Sequence, residues 1–249
     1  MDKTTVLFTS YFSKKIHPQL GDLQIEGVAE DGRAKQNDIS YIGRWYNSVK
    51  SLGLEARIFC DNLSEEFIKE FETEKIKFIK VDTSDYSYND WRFFCYRDYL
   101  ENNKFDNVFM TDASDVIVAN DPSFMMERFP DIDYFVGKDS IKLFQFPFLQ
   151  YHKNLGFKEY SIFFVNQHEW DLINVGAIGA RYDEMMVFLN TICQLRIQIG
   201  HPEANLDIWT GNYIFRHILS NRKTLIGEPL TSNFKAYEYG RKDVCFIHK

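Results

Sequence analysis

In the segment NVFMTDASDVIV (residues 107–118), two carboxylates three positions apart, Asp112 and Asp115, interrupt a run of apolar and β-branched residues. The leading NVFM reads as a buried strand, which puts the acids where that strand ends. A turn beginning at Asp112 brings both carboxylates to one side. There, two hard oxygen donors suit magnesium or manganese, with phosphate oxygens completing the shell. A plainer reading stands beside this one: Asp112 caps the turn and Asp115 is solvated. Asp207 opens the apolar stretch DIWTGNYIF and reads as a helix cap, and His248 follows the apolar VCFI, which reads as a strand pinned in the core. His17, His152, His168, His201 and His217 show no ligand spacing and read as surface or core residues.

These residues need a scaffold, and the bulk numbers bound it. A chain of 249 residues, 45% hydrophobic and 16% aromatic, can bury one substantial core, so a single domain over 1–249 is expected. A net charge of -7 with no long Lys/Arg run excludes a nucleic-acid grip, which depends on clustered positive charge. Cys60, Cys95, Cys193 and Cys245 lie far apart without a CxxC pair and read as buried thiols of a reducing compartment. The opening MDKTTVLFTSYF does not fit a signal peptide, and no run approaches the roughly 20 apolar residues that span a bilayer. A protein without a transmembrane segment, cytoplasmic or soluble and intracellular, is expected.

Along the chain, VLFTSYF (6–12), ARIFCD (56–61) and IKFIKVD (76–82) read as strands separated by helical stretches. Ile39, Ile42, Trp45, Tyr46, Val49 and Leu52 share one helical face, with Asp38 as cap and Gly53 as stop. Ser64 opens a second helix, and YNDWRFFCYRDYLENN forms a third that leads into the acidic strand. NDPSFMMERF reads as a short helix with Asn120 or Asp121 at its start and Pro122 in its first turn. DYFVGKD follows as a strand. WDLINVGAIGARYDEMMVFLNTICQL then gives a strand, a glycine-spaced turn and a long helix from about Tyr182. Another helix over LDIWTGNYIFRHIL, a strand at TLIGEP and the closing DVCFIHK complete the chain. The alternation predicts a three-layer α/β/α sandwich with a mainly parallel, Rossmann-like central sheet. Residues 13–37 form either a locally structured connection or a flap. The aromatic segment 140–170 could be core, an acceptor-side lid or a self-association surface.

VFMTDASDVIV resembles the acidic motif of metal-dependent GT-A glycosyltransferases, in which a hydrophobic strand ends in DxD or a variant; this chain has DxxD. The resemblance implies a nucleotide-binding half over about 1–120 and an acceptor-side half over about 121–249. It implies a divalent cation, manganese ahead of magnesium, held by Asp112, Asp115 and His248 against a UDP- or GDP-sugar diphosphate. LINVGAIGAR resembles the NxGxxG segment of such enzymes, implying that Asn174 and Gly176 line the donor sugar. NLDIWTGNYIF resembles the DQxxxN helix start, with Ile208 in place of the Gln; Asp207 would face sugar or acceptor, and Asn212 stands in the distal position. Thr9, Ser10 and Tyr11 would lie near base and ribose, Ala113 beside the donor, Arg92 near the nucleotide or the acids, and Lys249 near the diphosphate. The size and the lack of an anchor are similar to the soluble transferases of large algal viruses. The expected acceptor is a glycan or glycoprotein. If configuration inverts, Asp207 is the candidate base; if it is retained, none is required. Oligomeric state stays open.

Other chemistries find no motif: there is no GxxxxGK(S/T) loop, GxGxxG turn or GxSxG elbow, and the acids come too late for the haloacid dehalogenase pattern. The remaining rival is a catalytically silent transferase-like module that binds a sugar or a protein.

Overall fold

A computed structural model describes residues 3–16, 26–146 and 169–248. The strands are β1 (Thr5–Tyr11), β2 (Glu55–Cys60), β3 (Ile76–Lys80), β4 (Asn107–Thr111), β5 (Val116–Val118), β6 (Tyr134–Lys142), β7 (Asp171–Arg181), β8 (Thr224–Ile226) and β9 (Phe246–His248). The helices are α1 (Gly43–Leu52), α2 (Glu65–Phe71), α3 (Tyr88–Asn102), α4 (Phe124–Arg128), α5 (Tyr182–Ile199) and α6 (Asp207–Tyr213), the last running into a π-helical turn over Ile214–Ile218.

Seven strands form one sheet in the order β3-β2-β1-β4-β7-β6-β8. The β3-β2, β2-β1, β1-β4 and β6-β8 ladders are parallel, while β7 runs antiparallel to both β4 and β6. Strand alternation divides the core in two. Phe8, Val108, Met110 and Val136 pack against α3, α5 and α6 through Phe93, Tyr96, Phe188, Ile192 and Trp209. On the other face, Leu7, Ile58, Phe109 and Phe135 meet α1, α2 and α4 through Trp45, Val49, Phe67 and Met125. The result is the mainly parallel three-layer α/β/α sandwich that the alternation predicts.

Local chemistry sets the helix limits. The Ser64 side chain accepts from Phe67 N at 3.2 Å to open α2, and Gly53 closes α1 with φ 64°. Asp38 accepts from Ser40 N at 3.0 Å, but it caps a separate 3-10 turn, Ile39–Tyr41, ahead of α1. α4 starts at Phe124, later than the sequence predicts: Asp121 binds Ser123 N at 2.8 Å, so Pro122 lies outside the helix.

Two differences shape the site. β4 ends at the acids as the sequence predicts, but the apolar residues beyond them do not rejoin its sheet: β5 leaves the main sheet and pairs antiparallel with β9, Val116 opposite His248. The glycine-spaced segment is no turn: Gly176 and Gly179 lie inside the continuous, buried strand β7. Of the connection 13–37, the described residues 13–16 and 26–37 hold local structure, with bridges between Ile16 and Arg33 and between Val28 and Ala34. Residues 17–25 and 147–168, the latter including most of the aromatic segment, lie outside the described residues.

Candidate active site

At the carboxyl ends of β1 and β4, a cleft is lined by Ser10, Tyr41, Asn89, Arg92, Asp112, Ala113, Ser114, Asp115, Asn174, Asp207, Ile208 and Phe234. This is the edge at which open α/β sheets present ligand sites. The interruption between β4 and β5 creates it, since the bend over residues 112–115 holds both acids between strands of two different sheets.

The β5-β9 ladder carries His248 across to that turn. One ligand atom each from Asp112, Asp115 and His248 lies within 4.8 Å of the others. His248 Nε2 is 3.7 Å from Asp112 Oδ2 and 3.6 Å from Asp115 Oδ2. The histidine is buried and oriented from behind: its backbone N donates to Ser232 Oγ at 2.9 Å, and its ring lies 4.5 Å from that of Phe234. β7 passes directly beneath. A side chain at Gly176 would begin 2.3 Å from Asp112 Oδ2 and 2.6 Å from His248 Cε1, so only glycine leaves the acids and the imidazole room to converge. Asn174 is fixed beside it, its Oδ1 accepting from Gly176 N at 2.8 Å.

Among the described residues, His248 Nδ1, His248 Nε2 and Asp115 Oδ1 are buried with no hydrogen-bond partner. Orphaned buried polar atoms are costly and rare. Two carboxylates and an imidazole gathered this closely form a donor set that a divalent cation fits. Burial raises the Asp112 carboxyl, but Arg92 and His248 more than offset this and hold it below the usual range. Burial lowers His248; Asp115 and Asp112 reverse this and bring it up to about 9.

Arg92 joins this cluster to Asp207. It is 4% exposed, pairs with Asp112 Oδ1 through Nη1, and reaches Asp207 Oδ2 at 3.2 Å through Nη2. Burial pushes the Asp207 carboxyl up, with Arg92 opposing and Asp90 and Asp112 reinforcing the rise. Behind Asp207 lies a pair that the motifs do not reveal. Asp90 Oδ1 meets Arg196 Nε at 2.9 Å, both fully buried, while Asp90 Oδ2 accepts from Leu206 N at 3.0 Å. Arg196 also donates to the carbonyls of Gly200, His201 and Ala204, each at 3.2 Å. The loop leading into α6 is thereby fixed, and with it the position of Asp207. Nothing in the local sequence marks the pair, since α3 also carries Arg97, Asp98 and Glu101 and α5 also carries Asp183 and Glu184.

The remaining predicted residues divide. Ser10 and Ala113 line the cleft; Thr9 and Tyr11 do not. Neighbouring strand residues face opposite sides of the sheet, so only Ser10 points toward the Arg92 side. Thr9 Oγ1 donates to Thr111 O at 2.9 Å within the core. The Tyr11 hydroxyl anchors the backbone of Lys35 and Asp38 and packs its ring on Tyr41 and Phe67. Asn212 is turned to the strand backbone, bonding Ile173 N at 3.0 Å and Ile173 O at 2.9 Å. Lys249 lies outside the described residues.

No protein-family model and no curated protein matches the sequence. Solved structures do match. A glycosyltransferase involved in glycosylating the major capsid of PBCV-1 aligns with 98% of this chain and 92% of its own, at 13% identity and TM-score 0.53. The galactosyltransferase LgtC, in complex with donor and acceptor sugar analogs, aligns with 98% of this chain and 86% of its own, at 12% identity and TM-score 0.54. An active-site mutant of LgtC aligns over the same shares at TM-score 0.55. The chain has the fold of GT-A type glycosyltransferases.

Proposed function

We propose that the protein is a metal-dependent glycosyltransferase that moves a hexose or pentose from a UDP- or GDP-sugar to a hydroxyl of a glycan or glycoprotein. The observation that carries this reading is the convergence of Asp112, Asp115 and His248 over Gly176, at the carboxyl edge of the parallel strands. When bound, a divalent cation such as manganese supplies Lewis-acid stabilisation for the negative charge of a departing diphosphate. Asp112, Asp115 and His248 would hold it. Arg92 keeps Asp112 ionised and aimed, and it ties that carboxylate to Asp207. Ser10, Ala113, Asn174 and Asp207 line the space that the donor would occupy. With inversion, Asp207 takes the acceptor hydroxyl proton, a role for which a raised carboxyl is suited; retention leaves it to orient the sugar. The four cysteines are free and buried, in keeping with the reducing intracellular compartment in which we place the protein. Among the described residues, no helix is long and apolar enough to cross a membrane.

The test is nucleoside diphosphate release from a panel of UDP- and GDP-sugars, with manganese or with EDTA. Manganese-dependent release that Asp115→Ala abolishes is expected. Failure of every donor to release diphosphate with manganese present would overturn the assignment in favour of the catalytically silent binding module.

A further inference from the structure

The segment joining the cleft wall to β9 is built in a way that holding a cation does not require. It leaves the cleft at Phe234 and returns at His248, so both of its ends are rooted in the site. Between them, Tyr237 and Tyr239 are 51% and 50% exposed, with ring centroids 6.2 Å apart and planes inclined by 46°. The backbone that presents them is left-handed at Lys235, φ 60°, and at Tyr237, φ 54°. A residue with a Cβ pays a steric penalty there, and a bulky one is an outlier. Among the described non-glycine residues, only Asn37 and His201 share this conformation. The loop is nonetheless firmly held. Arg241 pairs with Glu228 at 2.9 Å, Glu238 at 3.2 Å and Asp243 at 2.6 Å, and Asn120 donates to the carbonyls of Lys242 and Val244 at 2.9 and 2.6 Å. A fixed loop thus holds backbone strain while keeping two aromatic rings in water, three and five residues beyond the cleft-lining Phe234, and strain of this kind gathers at binding sites.

We propose that Tyr237 and Tyr239 form a stacking platform for neutral sugar rings of the acceptor, adjoining the transfer cleft; the inference rests on the transferase reading above. An aromatic face takes the apolar C–H face of a pyranose while the phenol hydroxyl bonds its rim, at little conformational cost to either partner. Tyr237 follows Phe234 by three residues, so its Cα lies within about 11 Å of that wall, a span one or two sugar units cover. Charge selects a neutral chain: Lys235, Arg241 and Lys242 are balanced by Glu228, Glu238 and Asp243, leaving no net field to hold a phosphorylated or sulfated polymer.

The test compares the full chain with the Tyr237→Ala/Tyr239→Ala and Tyr237→Phe/Tyr239→Phe double variants. One measurement is binding to an array of neutral oligosaccharides of hexose and pentose units; the other is manganese-dependent hydrolysis of nucleotide-sugars by water. The native chain is expected to bind at least one neutral oligosaccharide. The alanine variant should bind it about tenfold more weakly or worse, the phenylalanine variant should keep most of the affinity, and both should hydrolyse donor at the native rate. Oligosaccharide binding that the alanine variant retains in full, or a native chain that binds no neutral oligosaccharide, would overturn the platform. Tyrosine-dependent binding without donor hydrolysis would support the sugar platform and sink the transferase reading, so the two failures are distinguishable.

Discussion

Replacing Gly176 with alanine would add one methyl group beneath the proposed metal site, and the coordinates fix what it must displace. The new Cβ would lie 2.3 Å from Asp112 Oδ2, 2.6 Å from His248 Cε1 and 2.8 Å from Asn174 Oδ1. Contacts under 3.0 Å are not tolerated and ordinary contact begins at 3.4 Å, so Asp112 must retreat by 3.0 − 2.3 = 0.7 Å at least and 3.4 − 2.3 = 1.1 Å for comfort. It is not free to do so, because Arg92 holds its other oxygen and its backbone N donates to Gly176 O at 2.8 Å. Overpacking of this kind costs about 1–3 kcal/mol of stability. At roughly 2–4 °C per kcal/mol for a chain of this size, the protein stays folded at ordinary temperature. A misplacement of about 1 Å at a reacting centre costs on the order of 100-fold in turnover. The assay is manganese calorimetry alongside diphosphate release. Gly179→Ala is the control, since its Cβ would meet Phe109 Cε1 at the same 2.3 Å but on the core side of the same strand. Both variants should lose comparable stability, and only Gly176→Ala should lose manganese. Native manganese affinity in Gly176→Ala would refute the reasoning.

Asp115→Ala should leave the melting temperature without metal within about 1 kcal/mol equivalent of native while removing the stabilisation that manganese confers, as thermal shift would show. Arg92→Ala strands Asp112 and Asp207 beside one another without their shared counter-charge and should cost about 3–5 kcal/mol in urea unfolding; Arg92→Lys, lacking a fork to span both acids, should recover only part of it. Asp90→Ala leaves Arg196 buried and unpaired and deprives Leu206 N of its acceptor, so a loss of similar size, about 3–5 kcal/mol, is expected by the same measurement.

Most of the architecture could be read from periodicity. The β1, β2 and β3 strands and the α5 start at Tyr182 lie where the pattern puts them, because each buries an alternating or helical apolar face. What escaped reading depends on distant partners. Val116–Val118 looks like a continuation of β4, yet its ladder is with residues some 130 positions later. Gly176 and Gly179 carry a turn signal locally, whereas their absent side chains make room for Asp112 and His248 in one case and for Phe109 in the other. The acids of the DxxD segment could be picked out from type and spacing, but that His248 joins them follows from the β5-β9 register, and its part in the site came only through family resemblance. Thr9 and Tyr11 illustrate the opposite case: alternation along β1 already sends them away from Ser10, and grouping all three by position overlooks it. Asp90 and Arg196 were hidden because an acid near a helix start and a base near a helix end each look like ordinary surface charge.

The most direct measurement is a crystal grown with manganese and a nucleoside diphosphate, with diffraction recorded at the manganese absorption edge. One anomalous peak bounded by Asp112, Asp115 and His248, with diphosphate oxygens on its open side, is the predicted result. A peak elsewhere, or an ordered nucleotide with no manganese between those three side chains, would contradict it.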